Sequence, residues 1–167
     1  GRSPSTVRST FATWRAFYSW SLREGLISES PMKAMRTPKA SEPQRKVYDR
    51  PDLRILFDYL KAQKTPVGLR NHALCAVLLD CGLRSSELCR LTMDDVADGA
   101  VVVRNSKSGK PRMVPMGDRS ARVVAQYIAR GRPKLNPKTD HLFVNQFGGA
   151  LNRWGREKIL QRLGTAI

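Results

Sequence analysis

Three charged residues are spaced as a group that could act on a phosphate. Arg84 and Glu87 lie three positions apart, and Lys107 follows in the basic segment 106–112, Ser-Lys-Ser-Gly-Lys-Pro-Arg. An arginine guanidinium donates to two phosphate oxygens at once, and a carboxylate one helical turn away can fix its orientation. A lysine ammonium can neutralise charge or protonate a departing oxygen. Taken alone, however, Arg84 and Glu87 are more typical of a surface ion pair.

The residues around Arg84 predict a corner between two helices. An apolar helical run ends just before Gly82, which is suited to end a helix in the left-handed conformation. Leu88 and Leu91 then predict the buried side of a following helix. Arg84 would lie at the corner, with Glu87 beside it on the helix surface.

Lys107 lies in a predicted β-hairpin. Residues 101–103 are a run of valines, 105–111 contain turn residues, and 113–114 can return as the partner strand. The tip is basic, because it carries Lys107 and Lys110. Such a tip can enter a DNA groove or close on a phosphate, although an isolated hairpin of this composition is more typical of a solvated turn.

Further elements are predicted on both sides of this region. We expect a mainly helical chain, with a helix over residues 5–23 that has apolar side chains on two sides and therefore needs to be covered on both. The other predicted elements are a helix from Asp49 or Asp52, a helix around Cys75, a helix from about 118 to 130, a short strand over 141–144 and a last helix over about 152–163.

The charge is strongly positive, with a formal net charge of +16. Residues 104–138 hold ten basic side chains and one acidic side chain, and residues 1–51 hold ten and four. Such an excess favours a polyanion, because each phosphate contact releases counterions and steers association. A membrane partner is not expected, since no stretch is long and apolar enough to span a bilayer and no signal peptide opens the chain.

Metal and nucleotide sites are not predicted. The three cysteines have no paired spacing, so we expect buried thiols in a reducing cytoplasm. His72 and His141 lie far apart and there is no Cys-x-x-Cys, which argues against zinc. No glycine-rich phosphate loop is present. We therefore expect no metal and no cofactor.

Taken together, these motifs resemble the tyrosine recombinases, the family of phage integrases and Xer-type enzymes. The order, spacing and types of the residues over 70–117 are similar to those of that family. The most specific segments are 81–91, Cys-Gly-Leu-Arg-Ser-Ser-Glu-Leu-Cys-Arg-Leu, and 112–116, Arg-Met-Val-Pro-Met. The resemblance implies a mainly α fold with a small antiparallel β-sheet (α+β), the N-terminal part of the recombinase catalytic domain.

The resemblance also implies roles for individual residues. Arg84 and Lys107 would be catalytic, Arg84 holding the scissile phosphate and Lys107 protonating the leaving 5′ hydroxyl, while Glu87 would orient Arg84. The intact enzyme would use a tyrosine to attack a DNA phosphodiester, forming a covalent intermediate without metal or cofactor. Contacts with double-stranded DNA are expected from Arg8, Arg15, Lys39, Arg45, Lys46, Lys110 and Arg112.

The later motifs of the family are not found in this sequence. Neither His72 nor His141 begins a His-x-x-Arg box, and all four tyrosines precede the place where the nucleophile would come. We therefore expect a fragment of a longer recombinase, cut at both ends, that binds DNA but does not cleave it. The intact enzyme would perform site-specific recombination or integration as a tetramer on two duplexes, in the cytoplasm and associated with the nucleoid.

Three regions are predicted along the chain. By the resemblance, residues 1–35 are the last helices of a helical, SAM-like core-binding domain that binds DNA. Residues 36–51 contain three prolines and five cationic side chains, which predicts a basic linker. Residues 52–167 are then the N-terminal portion of the catalytic domain.

Other classes of protein remain possible on the sequence. The main alternative is a non-catalytic DNA-binding module or regulator related to the recombinases. A basic RNA-associated protein fits the composition but leaves the Gly82–Arg84 corner and the Lys107 hairpin together unexplained. A type IB topoisomerase shares the outline of the site, but the short hairpin resembles the recombinases more closely.

Overall fold

The computed structural model describes residues 3–39, 47–104 and 110–166. The chain divides into two units, Gly1–Val47 and Tyr48–Ile167. The division falls inside the segment 36–51 that the sequence marks as a linker. The bounds of the three predicted regions remain predictions.

The first unit is built on helix α1, Pro4–Arg23. The Ser3 hydroxyl accepts the N–H of Thr6, and a proline follows at the first helical position, both of which favour a helix start. Gly25, at φ +70°, follows the end of the helix. Of the large apolar side chains on the two sides of α1 only Phe11 is buried, while Trp14 on the same side and Trp20 on the other are exposed by 50% and 43%.

Helix α3 is the centre of the second unit. It spans Pro66–Cys81, begins at a Thr65 cap and has eight buried residues. Helices α2, Arg50–Ala62, and α5, Asp118–Gln126, pack on it. Helix α5 continues as a π-helical turn, Tyr127–Gly131. The remaining helices are α4, Ser85–Arg90, and α6, Arg153–Ala166, with short 3₁₀ segments at Met93–Asp95 and Pro133–Leu135.

A small antiparallel sheet lies beside these helices. Its strands are β1, Val96–Ala97, β2, Ala100–Val103, and β3, Arg112–Pro115, in the order β1-β2-β3. The β2–β3 pairing sets Val103 opposite Arg112. The predicted hairpin and the predicted fold class, mainly α with a small antiparallel sheet, are therefore confirmed. The short β1 strand was not predicted.

The segment 141–144 does not form the predicted strand. It makes only isolated bridges, Thr92 with His141 and Val144 with Ala150. Leu142, Phe143 and Val144 are all buried, so they fill the core rather than presenting alternate faces to core and solvent. The Phe143 ring stacks on Tyr127 with centroids 5.8 Å apart.

No helix in the described part of the chain combines the length and apolar character needed to cross a membrane.

Candidate phosphate-binding site

The corner before Arg84 has the predicted backbone. Gly82 ends α3 at φ 56° and ψ 32°, in the left-handed region. Leu83 then enters the core, and Arg84 adopts an extended conformation as the N-cap of α4. This path leaves the Arg84 side chain 61% exposed at the start of a helix. The backbone N–H groups of a helix start also favour an anion nearby.

Glu87 fixes Arg84 by two hydrogen bonds. Its side chain is only 2% exposed. Oε2 accepts the backbone N–H of Arg84 at 2.8 Å, and Oε1 accepts from Nη1 of the same residue at 3.0 Å. The carboxylate thus caps α4 and holds the guanidinium, as the spacing of the two residues predicts. Both predictions, the left-handed Gly82 and the Arg84–Glu87 contact, are confirmed.

A second arginine reaches the same carboxylate from the sheet. Arg112, the first residue of β3, donates from Nη1 to Oε1 of Glu87 at 3.0 Å and from Nη2 to Oε2 at 2.8 Å. This bidentate pair joins the hairpin to the start of α4. Glu87 therefore lies between two guanidinium groups, so the three side chains together carry one net positive charge.

The electrostatics of Glu87 follow from this geometry. The Arg112 hydrogen bonds, followed by those from Arg84, lower the pKa of Glu87 from 4.5 to about 2, although burial works against them. The same carboxylate raises the pKa of Arg112. Glu87 thus stays ionised throughout the physiological range and keeps both arginines in place.

A second ion pair fixes the other arm of the hairpin. At the end of β2, Nε of Arg104 donates to Oδ1 of Asp95 at 2.6 Å. Asp95 also accepts from the backbone N–H and the hydroxyl of Thr92, both at 2.9 Å. Burial works to raise the pKa of Asp95, but these hydrogen bonds outweigh it and lower the pKa.

A small cavity of about 150 Å³ lies between the two ion pairs. Glu87, Asp95, Arg90 and Arg104 line it, and of these the two arginines are exposed. Neither arginine is among the site residues predicted from the sequence. Arg104 directly follows the three valines of β2, and this position at the end of a strand could have indicated it.

The structure brings three of the predicted site residues together: Arg84, Glu87 and Arg112. Lys110 is exposed and precedes Arg112 by two positions. Three other predicted residues, Arg45, Lys46 and Lys107, lie outside the described residues. Arg8, Arg15 and Lys39 are exposed in the Gly1–Val47 unit.

The part of the chain that the structure describes contains no group of three or more His, Cys, Asp or Glu side chains placed to hold a metal ion. Cys75 is buried, and burial raises the pKa of its thiol to about 12. Cys81 and Cys89 are only partly buried, which differs from the expectation of buried thiols. Burial raises the pKa of both thiols, so none of the three resembles an activated nucleophile.

The fold and the site define a class of protein. The chain belongs to the phage integrase family, whose family model matches residues 48–167. The predicted membership of the tyrosine recombinases is therefore confirmed.

The chain is also similar to individual recombinases. The chain is 35% identical over 165 residues to tyrosine recombinase XerD of Listeria innocua, covering 96% of this chain and 55% of the relative. It therefore spans about half the length of the curated relatives it matches.

Solved structures agree with the fold. The Tn1549 transposon integrase in complex with circular intermediate DNA superimposes with a TM-score of 0.80, at 20% identity, over 99% of this chain and 59% of that chain. A lambda integrase tetramer bound to a Holliday junction gives 0.67 at 18% identity, over 95% of this chain and 45% of that chain. At these identities the likeness establishes the fold alone.

Proposed function

We propose that this chain is the DNA-binding, phosphate-holding portion of a tyrosine-type site-specific DNA recombinase. Arg84 holds and neutralises the scissile phosphate, and Glu87 keeps its guanidinium in one orientation. The single observation that carries this proposal is the geometry of Arg84: its backbone and guanidinium are both fixed by a buried carboxylate, while most of the side chain stays open to solvent. An arginine held in this way can present its remaining N–H donors to a phosphate that approaches from solvent.

Lys107 is the proposed general acid for the leaving 5′ hydroxyl. The Arg112–Glu87 pair supports this role, because it anchors β3, the strand that follows Lys107 in the sequence, to the carboxylate that holds Arg84. Since both terminal nitrogens of the Arg112 guanidinium donate to Glu87, we assign Arg112 first to positioning. Its predicted phosphate contact then uses the face of the side chain that remains exposed.

DNA binding without cleavage is proposed for this chain by itself. The sequence has the arginine and the lysine but no tyrosine after them in the place of the nucleophile, and a supporting group cannot replace a missing nucleophile. The DNA complexes of the transposon and lambda integrases support duplex DNA as the partner. We infer that the intact enzyme works as a tetramer on two duplexes, in the cytoplasm and associated with the nucleoid.

Phosphate contacts outside the site are proposed for the other basic residues predicted to contact DNA. These contacts would set affinity and orientation but carry no sequence information directly. The residues concerned are Arg8, Arg15, Lys39, Arg45, Lys46 and Lys110.

Two measurements test the proposal. The affinity for duplex DNA should fall in Arg84→Ala and stay close to the parent value in Arg130→Ala, because Arg130 is an exposed arginine of the π-helical turn after α5, outside the site. Incubation with nicked suicide substrates should give no covalent protein–DNA adduct. Equal DNA affinity in the two variants would refute the role of Arg84, and an adduct would refute the absence of cleavage.

The alternative, a non-catalytic DNA-binding module or regulator, makes the same binding prediction. The two functions separate when the chain is extended at its C-terminus with the corresponding segment of a relative that carries the His-x-x-Arg box and the tyrosine. A recombinase portion should then form an adduct that depends on Arg84. A module that never did chemistry should not.

A further inference from the structure

A groove on the second unit lies outside the Arg84 site. It runs between α2 and α5, with α3 as its floor, as two adjoining cavities of about 440 and 310 Å³. The cavities share residues from all three helices, among them Phe57, His72 and Val123. Leu79 on α3 lines the larger cavity and is 55% exposed.

The walls of this groove are basic. Its cationic residues are Arg50, Arg54, Lys61, Lys64, Arg119 and Arg122, and its carboxylates are Asp58 and Asp80. Asp80 is already engaged, since it accepts the N–H of Gly117 at 2.7 Å before α5. Within the described residues, none of the six cations forms an ion pair with a carboxylate.

The groove carries both apolar and basic side chains, and this combination discriminates between ligands. Phosphates of duplex DNA would interact with the cations but gain nothing from Phe57, Leu79 and Val123. A purely apolar partner would pack on these three side chains but leave the cations without counter-charges. An amphipathic helix with carboxylates beside its apolar row uses both features. We propose that this groove binds an acidic, amphipathic helical segment of a partner protein.

His72 supplies a reporter at the centre of the groove. Its ring packs edge-on against Phe57, with centroids 5.9 Å apart. The pKa of His72 is lowered, mostly by burial and then by the charges of Lys64, Arg119 and Lys61. Carboxylates arriving beside these cations would offset their charge, so a bound acidic helix should raise the pKa of His72.

The probe is a labelled synthetic peptide of about four helical turns, with leucines at positions i, i+3, i+4 and i+7 and glutamates elsewhere. Its control has the same composition with the leucines scattered around the helix. Two variants of the full chain remove the groove's features: Arg119→Glu with Arg122→Glu, and Leu79→Gln. The matched charge control is Lys134→Glu with Lys138→Glu, two exposed lysines that do not line the groove.

Fluorescence anisotropy should show tighter binding of the amphipathic peptide than of the scattered one. The Arg119/Arg122 reversal should weaken it by about tenfold or more, and the Lys134/Lys138 reversal by much less. Leu79→Gln should also weaken the binding of the amphipathic peptide, and the His72 pKa measured by NMR should rise with bound peptide.

Equal affinity for the two peptides, or an equal loss of affinity in the two charge-reversal variants, would overturn the proposal. So would a loss of duplex DNA affinity specific to the Arg119/Arg122 reversal, which would make the groove a DNA surface. These outcomes are independent of the Arg84 variants that test the proposed recombinase function.

Discussion

At the scale of single residues, Glu87 determines how two arginines are held. It is buried, ionised and hydrogen-bonded to Arg84 and Arg112 by four contacts. A buried polar group that lacks its hydrogen-bond partners costs more free energy than the bonds themselves contribute. Glu87 therefore positions the two arginines, and its replacement should also lower the stability of the fold.

Glu87→Gln should lower both stability and DNA affinity. The amide keeps the size of the side chain but loses the charge, so the two guanidinium groups repel each other without a counter-charge. We expect a loss of about 1–3 kcal/mol in the free energy of unfolding, measured by urea denaturation. Under conditions where the variant is fully folded, its affinity for duplex DNA should still fall. Parent affinity in that folded variant would show that the orientation of Arg84 is unimportant for binding.

The same residue predicts a dependence of stability on pH. The pKa of Glu87 is about 2 in the folded protein against an ordinary value of 4.5. Because its folded-state pKa is lowered, its contribution to stability is complete above pH 4.5 and is lost as the pH falls towards 2. The difference in unfolding free energy between the parent and Glu87→Gln should therefore narrow across this window. A difference that stays constant would mean that these contacts do not lower the pKa of Glu87.

At the scale of elements, the site joins a helix corner to a hairpin. The Arg84–Glu87 contact could be predicted from the sequence because it is local to one helical turn. The Arg112–Glu87 contact could not, since it spans 25 positions and depends on how β3 packs beside α4. The segment 141–144 was predicted wrongly for a related reason: a short apolar run fits a buried loop as well as a strand until its neighbours are known.

Gly82→Ala tests the corner itself. A Cβ at Gly82 meets no atom within 4 Å, so the cost comes only from the left-handed backbone at φ +56°. We expect a loss of roughly 1–2 kcal/mol of stability, together with weaker DNA binding, because Arg84 begins the next helix. Gly164→Ala is the matched control, since a Cβ there also meets no atom within 4 Å and the residue lies inside α6. That control should be neutral or stabilising. If both changes have the same effect on thermal unfolding, Gly82 does not define the corner.

At the scale of the whole molecule, charge and fold support one function. The net charge of +16 fits the proposed binding of DNA, and the chain matches the phage integrase family over residues 48–167. The fold and the family were predicted correctly through the resemblance, because the residues that carry it lie in short segments at the helical corner and the hairpin. It did not predict the groove between α2 and α5, whose lining residues come from three helices and meet only in the folded unit.

The most direct test of the phosphate-binding site is the salt dependence of duplex DNA binding. It compares the parent chain, Arg84→Ala and a hairpin variant in which Lys107, Lys110 and Arg112 are all changed to alanine. We expect steep salt dependence in the parent chain. The hairpin variant should have a clearly shallower slope, and Arg84→Ala a slope shallower by about one phosphate contact. Equal and weak binding by all three proteins, with the same slope, would contradict the account that Arg84 and the hairpin hold DNA.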